Sequence, residues 1–279
     1  MKPLLLVVEN DSSTRRLLDI FLRRASFEVD GVARGTDALT LLEHVDYAAV
    51  VLDLLIPGRT GRDVLDELAA HRPALLERIV VVSSATELQL RDVRGRYPSV
   101  GIVRKPFDLD ELLAVIRARL ASAPAPGPTD ALQQFIRRSV IAGAKSGIVA
   151  RHGGDALELV SRYGYAPGVA EQYFPIPADA HYPIAAAARH GRSVWISALN
   201  ESTATEYPLL VSIWRERRSY ALAVVPIFEG GRVAGVAGWS FAEPRVFQVD
   251  EQATLSSIAA EAASLLDGSP ATTAASRGA

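Results

Sequence analysis

Uninterrupted apolar runs alternate with amphipathic periods over the first part of the chain. Leu4–Val8 and Ala48–Leu52 carry no polar position, as strands buried on both faces of a parallel sheet require. Ile79–Val82 and Gly101–Val103 are shorter runs of the same kind. Between them the apolar positions fall at helical spacing: Leu17, Leu18, Phe21 and Leu22, then Leu39, Leu42 and Val45, then Val64, Leu65 and Leu68. Leu109, Leu112, Leu113, Ile116 and Leu120 recur every three or four residues, one stripe of a last helix. Strands alternating with helices predict right-handed βαβ units and an open, doubly wound parallel sheet.

The second part has a different rhythm. An amphipathic helix (Leu132, Phe135, Ile136, Val140) opens it and another (Leu255, Ile258, Ala259, Ala262, Leu265, Leu266) closes it. Strands are expected around Gly147–Ala150, Leu157–Tyr163, Ser193–Ile196, Ala221–Phe228 and Arg232–Phe241. The last two flank Gly230-Gly231, a two-residue turn signal that makes them an antiparallel hairpin. This half therefore reads as α+β with an antiparallel sheet. Residues 121–129 hold three prolines and a glycine, which favour an extended spacer over a helix. The expected division is a first domain over 1–120, a proline-rich linker over 121–129, a second domain over 130–267 and a disordered tail over 268–279.

Composition narrows the function. Thirty Lys and Arg against 32 Asp and Glu leave a net charge of −2, with no general pull toward nucleic acid. The absence of cysteine excludes disulfides, thiolate metal sites, cysteine nucleophiles and thioether-tethered cofactors. No apolar stretch approaches the ~18–20 residues of a membrane span, and the N-terminus turns acidic too early for a signal peptide. The expectation is a cytoplasmic protein without membrane or nucleic-acid partners.

Candidate chemistry gathers where the first-half strands end. Glu9-Asn10-Asp11, Asp53, Ser83-Ser84 and Lys105 each follow an apolar run directly, and ligands of open α/β sheets sit beyond the carboxyl ends of strands. Carboxylates converging on one rim repel unless a hard cation joins them, and oxygen ligands suit Mg²⁺. A lysine and a hydroxyl beside them would serve a phosphoryl group on a carboxylate, one by charge and one by hydrogen bonding. Taken singly, Asp53 also fits a turn, Asp11 or Ser12 an N-cap, and Lys105 a solvated surface charge.

The stretches LLLVVENDSSTRRLL, VVLDLLIPGRTG, VVVSSA and RKPFD, in this order, resemble the receiver domain of two-component response regulators. The resemblance implies a flavodoxin-like sheet of order 2-1-3-4-5. It makes Asp53 the phosphoacceptor for a sensor histidine kinase, Glu9, Asn10, Asp53 and the carbonyl of Leu55 the Mg²⁺ ligands, Ser84 the switch hydroxyl and Lys105 the family's lysine, ahead of a cis bond to Pro106. Two positions depart from the family. Asn10 replaces an aspartate that binds Mg²⁺, so weaker Mg²⁺ binding and slower phosphorylation are expected, with Asp11 as a candidate compensator. Ile102 replaces an aromatic whose rotamer reports phosphorylation.

In the second half, SGIVARHGGDALELVSRYGY, GRSVWI, YPLL, ALAVVPIFEGGRVAGVAGWSF and VFQVDEQATLSSIAAEAA are similar to a GAF domain. The resemblance implies a small-molecule pocket or a dimerisation module. Val233, Gly235, Ala237, Trp239 and Phe241 are expected on one face of a strand, with Gly235 and Gly238 leaving room for backbone or ligand. Trp195, Trp214, Trp239 and Phe241 equally read as core, with indole N–H groups on carbonyls. Tetrapyrrole attachment lacks its cysteine. The cyclic-nucleotide pattern is matched only at Phe247 and Asp250-Glu251. His152, His181 and His190 are isolated candidates for haem, and Gly153-Gly154-Asp155 reads as a turn. Arg215-Glu216-Arg217-Arg218 reads as a solvated helix end, and the alanine-rich terminal helices suit a homodimer seam.

The expected function is a non-enzymatic response regulator that takes a phosphoryl group on Asp53 and relays the change to a GAF output or sensor module. The alternatives are an unphosphorylated pseudo-receiver scaffold and a small-molecule-sensing adapter.

Overall fold

The computed structural model describes residues 2–122, 130–198, 200–217 and 219–267. The chain divides into two compact units, Met1–Thr129 and Asp130–Ala279. Most of the expected linker (123–129) and the whole expected tail (268–279) lie outside the described residues.

The first unit runs β1 (Leu4–Val8), α1 (Ser12–Arg24), β2 (Glu28–Val32), α2 (Gly35–His44), β3 (Ala49–Leu52), α3 (Gly61–His71), β4 (Ile79–Ser83), α4 (Glu87–Arg96), β5 (Gly101–Arg104) and α5 (Leu109–Ser122). The strands form one parallel sheet in the order β2-β1-β3-β4-β5, as the resemblance implied. Leu5, Leu6, Val7, Val80 and Val81 are all at 0% exposure, because helices cover both faces. α5 extends through Ser122, into the stretch expected to be spacer.

Two elements escaped the apolar pattern. β2 reads EVDGV, with Glu28 exposed and Asp30 buried. The sheet tolerates that carboxylate because the Tyr47 hydroxyl donates to its Oδ2 at 2.7 Å. α4 buries only Leu90 and Val93, and a capping box between Thr86 and Gln89 starts it.

The second unit runs α6 (Ala131–Ile141), β6 (Ser146–His152), β7 (Ala156–Tyr163), β8 (Ile176–Pro177), α7 (Pro183–His190), β9 (Val194–Ile196), α8 (Glu201–Glu206), α9 (Pro208–Arg217), β10 (Ala221–Glu229), β11 (Arg232–Phe241), α10 (Val249–Glu261) and α11 (Ala263–Leu266). Its antiparallel sheet has the order β8-β7-β6-β11-β10-β9. Gly230 and Gly231 take φ of +55° and +80° between β10 and β11, the left-handed pair that a tight hairpin needs. Gly153-Gly154-Asp155 is the turn between β6 and β7. The helix expected to close this unit is interrupted at Ala262.

Each sheet face has its own cover. Tyr163 and Trp239, which crowd over Gly147, meet α6, where the Trp239 indole donates to the Ser139 hydroxyl at 2.8 Å rather than to a carbonyl. Gly235 lets α11 close in: a Cβ there would stand 2.5 Å from the Ala150 carbonyl oxygen and 2.9 Å from Leu266 Cδ2. Ala150, Val224 and Val236 point the other way, into a cluster with Ile184, Ala185 and Ala188 of α7. The expected alternation fails at Val233. A bulge between β10 and β11 shifts the register there, and Val233 joins the α7 cluster instead of the Gly235 face.

Candidate functional site

Parallel strands end on the same edge, so β1, β3 and β5 deliver Glu9, Asp53 and Lys105 to one place. Lys105 Nζ donates to Glu9 Oε2 at 2.6 Å and to Asp53 Oδ2 at 2.7 Å. Glu9 and Asp53 are 3% and 5% exposed, and the lysine side chain 22%. Two buried carboxylates facing one ammonium leave the pocket one formal charge negative. Burial pulls the Lys105 ammonium toward deprotonation, but the hydrogen bonds and charges of Asp53 and Glu9 outweigh it and hold the group above the ordinary lysine range.

The remaining carboxylate oxygens are fixed by the main chain. Asp53 Oδ1 accepts from the Leu55 N–H at 2.9 Å and Glu9 Oε1 from the Asp11 N–H at 3.1 Å. The Lys105–Pro106 peptide is cis. Gly61, at the start of α3, abuts this loop: a Cβ there would lie 2.2 Å from the Asp53 carbonyl oxygen.

Other candidates stand at the rim without joining the cluster. Asn10 and Ser84 are exposed, and Leu55 is 53% exposed. Asp11 accepts from the Thr14 N–H at 2.7 Å as the N-cap of α1, and that bond lowers its pKa. The capping alternative is therefore realised for Asp11. Ser83, not Ser84, is the buried hydroxyl of the pair, and it accepts from the Ala85 N–H at 3.3 Å. Ile102 is half-buried on β5.

Sequence reasoning passed over Arg15. Its guanidinium reaches back from the first turn of α1 to the carbonyl oxygens of Glu9 (2.6 Å) and Asn10 (3.3 Å), and its stem packs over Gly31 of β2. Its position one turn after the cap was the only signal available, and many solvated arginines share it.

A family model for the response regulator receiver domain matches residues 5–117, and a model for the GAF domain matches residues 128–267. The chain belongs to the GAF family and carries a receiver domain ahead of it. Such a receiver–GAF architecture is typical of phosphorelay response regulators. Among similar curated proteins, the DNA-binding response regulator MtrA of Mycobacterium tuberculosis is 32% identical over 120 residues, 43% of the receiver–GAF chain and 51% of MtrA. The transcriptional regulatory protein TcrA of the same organism is 33% identical over 124 residues, 44% of this chain and 48% of TcrA. The receiver–GAF protein thus spans about half the length of the curated relatives it matches. A solved response regulator receiver protein from Pseudomonas putida has 26% identity, covering 42% of this chain and 98% of its own, with a TM-score of 0.39. The receiver domain of a Francisella response regulator has 19% identity, covering 43% and 98%, with a TM-score of 0.40.

In the GAF domain, Trp239 and Phe241 are buried at 1% and 2%, while Trp195 is half-buried against Phe247, the ring centroids 5.3 Å apart. His181 and His190 are exposed and His152 is half-buried. The side chains of Trp214 and Arg215–Arg218 lie outside the described residues. Among the described residues, no helix is long and apolar enough to cross a membrane, and no group of three or more His, Cys, Asp or Glu gathers to hold a metal.

Proposed function

We propose that Asp53 accepts a phosphoryl group from a phosphohistidine on a sensor kinase and that the GAF domain is the output or sensing module. The observation that carries this reading is Lys105, held between the buried carboxylates of Asp53 and Glu9. In the transfer, an Asp53 carboxylate oxygen attacks phosphorus, the P–N bond breaks and its electron pair returns to the imidazole. The product is an acyl phosphate. In this reading Lys105 moves its hydrogen bond from carboxylate to phosphoryl oxygen, and the exposed Ser84 hydroxyl supplies another.

The donor set is hard oxygen throughout: the carboxylates of Glu9 and Asp53, the amide oxygen of Asn10 and the carbonyl of Leu55. These residues fit Mg²⁺, with one negative charge fewer than a third carboxylate would give. When bound, Mg²⁺ supplies charge neutralisation at the transferring phosphoryl group. Adding about −1.5 to −2 of charge at this rim is sufficient to bias a two-state surface.

Both curated relatives match over a segment the size of the receiver, so their gene-regulatory roles stay with them. We propose a cytoplasmic adapter whose partners are a histidine kinase, a second copy of the chain and a small GAF ligand, without nucleic acid. Incubation with acetyl phosphate and Mg²⁺, followed by intact-mass analysis, tests the reading. One phosphoryl adduct on the native chain and none on Asp53→Ala is expected; no adduct on either overturns it.

Asn10 favours a second reading, a pseudo-receiver scaffold that never takes phosphate. Magnesium titration separates the two, since a working site binds Mg²⁺ at millimolar concentration or below.

A further inference from the structure

The α7 face of the GAF sheet is incompletely covered. Ile148 of β6 and Leu222 of β10 lie mid-sheet, yet both are only half-buried, while Val224 and Gly238 beside them are buried. What they face is a cavity of about 120 Å³ between the sheet, the segment carrying Tyr173 and Phe174, the start of α7, and α9. Of the two glycines expected to leave room for a ligand, Gly238 lines this cavity and Gly235 admits α11 on the opposite face.

Three properties of the cavity define its occupant. Its size is that of one ring: an apolar cavity of roughly 150 Å³ holds benzene, whereas nucleotide and tetrapyrrole sites are several-fold larger. Among the described residues its lining contains no Asp, Glu, Lys, Arg or His, so none of them offers a charged ligand a counter-charge. Besides Tyr165, Tyr173 and Tyr182, the lining carries two serines at one end of the sheet. There Ser219 and Ser240, 5% and 7% exposed, line the wall, with the Ser219 hydroxyl donating to Ser240 at 3.5 Å and Ser146 and Ser240 sharing a bond at 2.6 Å. Three linked hydroxyls have more donor and acceptor capacity than these two contacts use.

We propose that the GAF domain binds a neutral, single-ring molecule with one hydrogen-bonding group, its ring on Ile148 and Leu222 and its polar atom on the Ser219–Ser240 hydroxyls. This rests on the reading of the GAF domain as a ligand sensor and names the ligand class. It does not depend on phosphorylation of Asp53.

Isothermal titration calorimetry of the full chain with phenol, toluene, benzoate and cyclic AMP tests it. Phenol should bind with Kd of about 1 mM or tighter, and benzoate at least about tenfold more weakly. Ser219→Ala should weaken phenol about five- to tenfold while changing toluene less than about twofold. Leu222→Phe, which fills the cavity, should abolish binding of all the neutral rings. Charged probes binding as well as phenol, with binding lost in Leu222→Phe, overturn the ligand class and leave the sensor reading intact. Failure of every probe up to about 5 mM overturns both. Should Leu222→Phe fail to fold, Ser219→Ala decides the polar contact alone, and equal loss of phenol and toluene overturns it.

Discussion

Lys105 Nζ stands 2.7 Å from Asp53 Oδ2, a contact that joins positions 52 residues apart. The same ammonium touches Glu9, so one side chain answers two buried carboxylates. Lys105→Ala leaves both without a counter-charge. With the lysine partly exposed, the expected loss is about 2–4 kcal/mol at neutral pH without divalent ions. Urea unfolding followed by circular dichroism measures it, and millimolar Mg²⁺ should recover part of the loss. An unchanged midpoint would show that the pairing contributes nothing.

The pairing carries a pH signature. Because the Lys105 pKa is raised in the folded state, its contribution is complete below the unfolded value of about 10.4 and disappears as pH climbs through the folded one. The Lys105→Ala deficit should therefore be level from about pH 7 to 10 and shrink above that range. Tyr97 provides a marker in the same domain. Burial, with a hydrogen bond to Asp66, pushes its phenol up to about 12, so its absorbance change should trail that of exposed tyrosines.

Asn10→Asp adds a carboxylate to the proposed Mg²⁺ site. Mg²⁺ should bind about tenfold more tightly, and labelling by acetyl phosphate should accelerate. The metal-free variant should be less stable, because the new charge joins two carboxylates that share a single lysine. Calorimetric Mg²⁺ titration reads the first effect; equal affinities would remove Asn10 from the metal site.

Gly61→Ala tests how α3 shapes the loop that carries Asp53. The added methyl would overlap the Asp53 carbonyl oxygen, and backbone must shift to admit it. A destabilisation of about 1–3 kcal/mol is expected. Slower phosphorylation should accompany it, unlike a Gly95→Ala control, where nothing lies within 4 Å of the new Cβ.

Trp239→Phe removes the donor to Ser139, a hydroxyl at 0% exposure, and shortens a ring packed 5.9 Å from Phe135. The GAF domain should lose about 2–3 kcal/mol from the broken bond and the smaller ring together. Ser139→Ala should cost less, since the indole keeps its packing. Thermal unfolding of the two variants compares them.

Much of this architecture was written in residue order. Leu4–Val8 and Ile79–Val82 are apolar without interruption, as strands covered on both faces require. Gly230-Gly231 named the hairpin because no other residue pair takes two left-handed conformations so freely. Glu9, Asp53 and Lys105 were legible as strand-end residues, since topology alone brings strand ends to one edge. β2 was hidden because a tyrosine 17 residues away satisfies its Asp30. α4 was hidden because a capping box and two buried side chains suffice to hold it. The Val233 face depended on a bulge, which slips register through pairing with another strand and leaves no mark in the strand's own alternation. The role of Asp11 as a cap, the reach of Arg15, and the side of the GAF sheet that keeps a cavity were likewise decided by tertiary structure. Local pattern reports what one segment prefers, while these outcomes depend on which distant atoms arrive to satisfy a charge, a carbonyl or an apolar face.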